Sequence, residues 1–230
     1  MGFRAPEPLD PGNDKMPDQS LRQTVLDELK WDPSVNADEI GVIARDRIVT
    51  LTGQVDTYAQ KWAAERAAER VAGIKSIIVE LEIRDASSRA RGDDEIAKRA
   101  AQSLAWDVGV PQDRLEVKVK DGWVTVSGHV DWHFQKHNAE CAIQRLRGVM
   151  GITDLIMIEP VVEAHNISGR INTALRRTAF FNHDHVVITA EGGKVTLRGR
   201  VDNYHELCLA FNTAWSAPGV TAVSNLLTVD

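Results

Sequence analysis

Apolar residues recur along this chain with two different periods, and the order of the two periods is written three times. Leu21, Val25 and Leu29 lie four residues apart, which places one apolar stripe on a helix. Ile40, Val42 and Ala44 then alternate with polar residues, break at Asp46-Arg47, and resume as Val49, Leu51 and Val55. Period two marks strands with one buried face, and a two-residue break between them marks a hairpin. The same pattern returns with Ile96, Ala100 and Leu104, then Leu115, Val117 and Val119, then a turn at Asp121-Gly122. It returns again with Ile167, Ile171 and Leu175, then Val186, Ile188 and Ala190, then a turn at Gly192-Gly193.

The return strand of each hairpin carries one phrase: VTLTGQVD at 49–56, VTVSGHVD at 124–131 and VTLRGRVD at 195–202. Anchored on Gly53, Gly128 and Gly199, the blocks 21–84, 96–159 and 167–230 superpose without an insertion. A glycine in a strand of this kind admits a close backbone contact or a bulge. Asp56, Asp131 and Asp202 follow it and are expected to cap a second helix, because a carboxylate accepts the orphan amide hydrogens of a first turn. Ala64, Ala139 and Ala210 let that helix lie close to the sheet, and Gly73, Gly148 and Gly219 are expected as its C′ residues. A last alternating strand, Ile74 to Ile83 in the first copy, completes the unit.

The pattern predicts an α+β protein of three tandem αββαβ domains, each a three-stranded sheet with two helices on one face. The expected boundaries are 21–84, 94–160 and 166–230, after a flexible, proline-bearing tail over 1–20. Each unit is long enough to close its own small core, unlike a solenoid repeat.

The helix, the hairpin with V-T-L-x-G-x-V and the terminal V-x-G-V/I-x-x-V/I resemble the BON domain, named for bacterial OsmY and nodulation proteins. The resemblance covers all three blocks. It implies the αββαβ fold and a non-enzymatic role, with links to phospholipid binding, envelope maintenance and osmotic stress. Because one member of the family binds potassium, it also leaves open a module that senses a small ligand or ion. The shared positions are apolar residues and glycines, so they speak to fold and not to chemistry.

Charge narrows the partners. The chain of 230 residues carries a formal net charge of −6, with no basic arm, and this argues against a nucleic-acid partner. Residues 161–230 are neutral overall, which makes the third copy the one best suited to an anionic surface. Its arginines Arg176, Arg177, Arg198 and Arg200 are the candidates for lipid or partner contact, with Arg89 and Arg91 in the first linker as further basic positions. No apolar run is long enough to span a bilayer, and the first twenty residues hold no secretory apolar core. As written this reads as a cytoplasmic chain, and as a periplasmic one if a leader has been removed.

Candidate chemistry is thin. His133, His137 and Cys141 fall at i, i+4 and i+8 on one helix face, the spacing that can begin a metal site. Their equivalents are Tyr58, Trp62 and Arg66 in the first copy and Tyr204, Cys208 and Asn212 in the third, so the face is expected to be solvated or packed on a neighbouring domain. Trp31 and Trp106 occupy equivalent positions, with Arg177 as their counterpart, and are expected to close the core, the alternative being a membrane-interface anchor. No nucleophile with a base and an oxyanion hole is visible, so neither an enzyme nor a cofactor is expected. The leading expectation is a binding or scaffold protein of stress or envelope physiology. The alternatives are ion or small-ligand sensing, and a structural role through domain packing or self-association.

Overall fold

The computed structural model describes residues 18–84, 92–160, 166–178 and 185–229. Most of the expected tail, together with Arg89 and Arg91, lies outside the described residues. The first copy runs α1 (Asp18–Trp31), β1 (Ile40–Arg45), β2 (Ile48–Val55), α2 (Tyr58–Glu69) and β3 (Ser76–Ile83). The second runs α3 (Asp93–Trp106), β4 (Leu115–Lys120), β5 (Trp123–Val130), α4 (His133–Gln144) and β6 (Gly151–Ile158). The third runs α5 (Ile167–Arg177), β7 (Val186–Glu191), β8 (Lys194–Val201), α6 (Tyr204–Trp215) and β9 (Ala222–Val229).

In every copy the hairpin strands pair antiparallel, and the last strand lies parallel to the phrase strand, which is therefore central. The helical stripe and the inward strand positions meet as expected: Leu21, Val25, Leu29, Val49 and Leu51 are fully buried, and so are their equivalents or nearly so. Each copy encloses its own apolar core.

Three local expectations are corrected. The first helix starts at Asp18, three residues inside the expected tail, because the Asp18 carboxylate accepts the backbone N–H groups of Asp46 and Arg47 at 3.0 and 3.3 Å. That clamp holds a turn whose two residues are not glycine yet both take positive φ, 51° and 66°. Asp93 repeats it on Asp121 and Gly122 at 2.8 and 2.9 Å.

The cap of the second helix is one residue later than Asp56, Asp131 and Asp202. Thr57 and Asn203 are the side-chain caps, accepting from the N–H groups of Gln60 and Glu206 at 3.2 and 2.9 Å. The aspartates precede the cap. Their own N–H groups donate to the side chains four residues on, Gln60, Gln135 and Glu206, at 2.9, 2.9 and 3.1 Å. Finally, these helices end at Glu69, Gln144 and Trp215. Gly73, Gly148 and Gly219 close the turn that follows and are not C′ residues.

Gly53, Gly128 and Gly199 take φ values of 118°, 131° and 128°. A Cβ at these positions would overlap the carbonyl oxygens of Glu39, Arg114 and His185, where the chain enters the first strand. The glycine is thus required twice over, by its backbone angle and by a close approach.

The three domains are not beads on a string. Tyr58, at the start of α2, packs against the core of the second domain. The equivalent His133 stacks on Trp215 of the third domain, with ring centroids 4.4 Å apart and planes 16° apart. The equivalent Tyr204 packs against the core of the first, and its N–H donates to the Ile74 carbonyl at 2.9 Å. One contact repeated from first to second, second to third and third to first is what a threefold rotation generates. The chain closes into a ring with α2, α4 and α6 at its junctions.

Candidate functional site

Ring closure determines which surfaces are available. At the junctions, Glu65 and Glu69 have raised pKa values because burial disfavours their charged forms. Glu140 is pushed up to about 8 by burial and by its hydrogen bond and repulsion with Asp154, against the lowering effect of Lys136. Lys136 lies 2.7 Å from Asp154 and donates to the Ile156 carbonyl at 2.9 Å, so this charge pair is spent within the second domain. Burial also raises Cys208 to about 11 and Tyr204 to about 12, which leaves the thiol protonated and unreactive at neutral pH.

The residues singled out for metal do not converge. His133 is committed to Trp215, and burial lowers its pKa to about 4. His137 Nε2 lies 3.5 Å from Cys141 Sγ. Among the described residues no group of three or more His, Cys, Asp and Glu is arranged to hold a metal ion. The face carrying these residues is instead the one that contains the domain junctions, and its equivalents of His133 in the first and third domains are tyrosines.

The outward surface lies at the ends of the first helices. Trp31 is 82% exposed and Trp106 80%, so neither closes a core. Each ends a helix whose apolar stripe stops two residues earlier, at Leu29 or Leu104, and so points away from the sheet. The third counterpart is Arg177, beside Arg176 at the end of α5. Threefold equivalence places these three positions at one height along the ring's axis. Val108, fully exposed and two residues past Trp106, and half-exposed Phe134, whose ring lies close to Gly109, add apolar surface in the second domain.

Arg198 and Arg200 belong elsewhere. They lie on β8 and face away from the helices, so the four arginines do not form one patch; Arg176 and Arg177 join the helix ends. A groove of about 660 Å³ runs between α5 and α6, lined by Arg170, Thr173, Arg177, Thr213 and Ser216. A related groove of about 610 Å³ in the second domain is lined by Trp106, Asn138 and Arg145. In the first domain Arg70 spans the equivalent place, bonding Glu28 at 2.7 Å and Asp32 at 2.9 Å. Sequence reasoning misses Arg170 and these grooves, although the aligned positions Arg70, Arg145 and Ser216 hold the signal.

The family model for the BON domain matches residues 17–85, 92–160 and 164–230. The chain belongs to the BON-domain family. Osmotically-inducible protein Y of Escherichia coli strain K12 is 29% identical over 141 residues, 60% of this chain and 70% of that protein. Among solved structures, two of CdsD, a structural protein of the type III secretion system of Chlamydia trachomatis, are similar at 13% and 12% identity. They cover 90% and 94% of this chain and 91% and 100% of theirs, with TM-scores of 0.25 and 0.24. Among the described residues of the three BON domains, no helix is long and apolar enough to cross a membrane.

Proposed function

We propose that the chain is a non-enzymatic binding protein of bacterial osmotic-stress or envelope physiology that docks the ends of its first helices against an anionic phospholipid surface. Membership in the BON family and the likeness to an osmotically inducible protein support the physiological half of this reading. The observation that carries the lipid half is the exposure of Trp31 and Trp106 at positions equivalent to Arg177. Indole rings favour the headgroup level, where their apolar body and polar N–H both find partners. Arg176 and Arg177 supply cations to phosphate oxygens, and α5 holds no acidic residue to oppose them.

Co-sedimentation with vesicles of phosphatidylglycerol and phosphatidylcholine tests this. The parent is expected to bind at low salt and to release as salt screens the arginines. Arg176→Ala/Arg177→Ala is expected to weaken binding about thirtyfold, in line with about 1 kcal/mol for each of two basic residues near an anionic surface, and Trp31→Ala/Trp106→Ala to weaken it clearly as well. Failure of the parent to sediment with anionic vesicles at low salt defeats the reading, as does parent-like binding by both variants.

A further inference from the structure

We infer that the open sheet face of the first domain binds the open sheet face of the third domain of a second copy, so that rings join head to tail. The two surfaces are unlike and complementary. On the first sheet the register sets Ile43 and Ile78 on either side of Thr50, with Glu80 and Glu82 following along the edge strand. Both isoleucines and both glutamates are exposed. On the third sheet the register sets Val187 and Leu226 on either side of Arg198, with Arg200 next along the central strand. All four are exposed.

Each face is therefore an apolar pair with a net charge of its own: Glu80 and Glu82 outweigh Arg45 on the first sheet, and Lys194, Arg198 and Arg200 outweigh Glu191 on the third. Sheets stack face to face about 10 Å apart, which lets the apolar pairs meet while the carboxylates reach the guanidiniums. Two acidic faces repel, as do two basic ones, so the contact is heterologous. The middle sheet is built differently: the Trp123 ring folds over Gly151, and its indole N–H donates to Thr153 at 2.7 Å.

Size fixes the strength. Three strands at about 4.8 Å spacing and about 25 Å long give roughly 350 Å² per partner. The total falls short of the about 1,200 Å² at which stable complexes begin, so the association is weak in free solution. Confinement to a surface raises effective concentration and strengthens such a contact without altering it. The inference does not rest on the lipid reading, because it is tested without lipid.

Sedimentation equilibrium of the full chain from about 10 μM to 1 mM at low salt reads it in the range where weak interfaces populate. The parent is expected to show concentration-dependent association that salt suppresses. Glu80→Arg/Glu82→Arg and Arg198→Glu/Arg200→Glu are each expected to associate at least tenfold more weakly. An equimolar mixture of the two is expected to recover it, because the reversed faces again match. All four positions are exposed, so the variants retain their cores. A parent that stays monomeric throughout overturns the inference. So does an Arg198→Glu/Arg200→Glu variant that associates like the parent, or a mixture that fails to recover.

Discussion

The glycine at the bend of each phrase shows how one atom can decide a fold. Gly128 sits at φ 131° with the Arg114 carbonyl where a Cβ would stand. Gly128→Ala meets both obstacles and is expected to lose about 2–4 kcal/mol, read as a lowered midpoint in thermal unfolding. Gly92 is the control: its φ is −54° and a Cβ there would meet nothing within 4 Å, so Gly92→Ala is expected to lose only the up to about 1 kcal/mol that alanine costs at the N-cap of α3. At this scale the sequence is legible where a residue type is forced. Glycine, alanine against the sheet and the apolar stripe each have one physical use at their position. Trp31 and Trp106 are ambiguous because tryptophan serves equally at a core edge and on an exposed end, and only the direction in which each helix ends separates the two.

Elements are legible as periods, but their ends depend on single hydrogen bonds that periodicity does not carry. Asp56 and Thr57 are both good capping residues, and it is the Thr57 hydroxyl that accepts the Gln60 N–H, while the Gln60 side chain reaches back to accept the Asp56 N–H. The junction helix α4 brings two opposed titrations to one element. The pKa of His133 falls from 6.5 to about 4, so the unfolded chain takes up the proton first and stability is lost as pH drops from 6.5 towards 4. The pKa of Glu140 rises from 4.5 to about 8, so the unfolded chain ionises first and stability is lost as pH climbs from 4.5 towards 8. Lys136 and Asp154 face both groups and are common to parent and variants. Between 4.5 and 6.5 the two slopes oppose each other, and the parent's melting temperature is expected to be level there and to decline above. Glu140→Gln lessens the decline, leaving the rise that His133 contributes up to pH 6.5 against only the losses from the buried Glu65 and Glu69. His133→Phe keeps a ring on Trp215 and leaves a continuous fall from 4.5 to 8. Melting curves at half-unit pH steps check this, and parallel profiles for all three proteins would refute the assignment.

At the scale of the molecule, the three copies can be counted in the sequence but their arrangement cannot. The positions that close the ring are aligned, yet they read Tyr58, His133 and Tyr204, and each partner lies in another domain, far along the chain. Only the last of these junctions joins domains that are not consecutive in the chain. Tyr204 must find the first domain across the whole of the second, held by packing, the Ile74 carbonyl and an Arg47 guanidinium that donates to the Asp202 carbonyl at 3.4 Å. Tyr204→Ala removes the packing at that junction and leaves the buried residues of all three cores in place, since these come from each domain's own chain segment. The ring is therefore expected to open without unfolding. In small-angle scattering the radius of gyration should rise by several ångströms above the about 17 Å of a compact chain of this length, while circular dichroism stays unchanged. The same opening takes Arg177 out of register with Trp31 and Trp106, so vesicle binding should weaken together with the expansion. Expansion with undiminished vesicle binding would mean that the helix ends act singly and not as one set; an unchanged radius would mean that Tyr204 does not hold the ring shut.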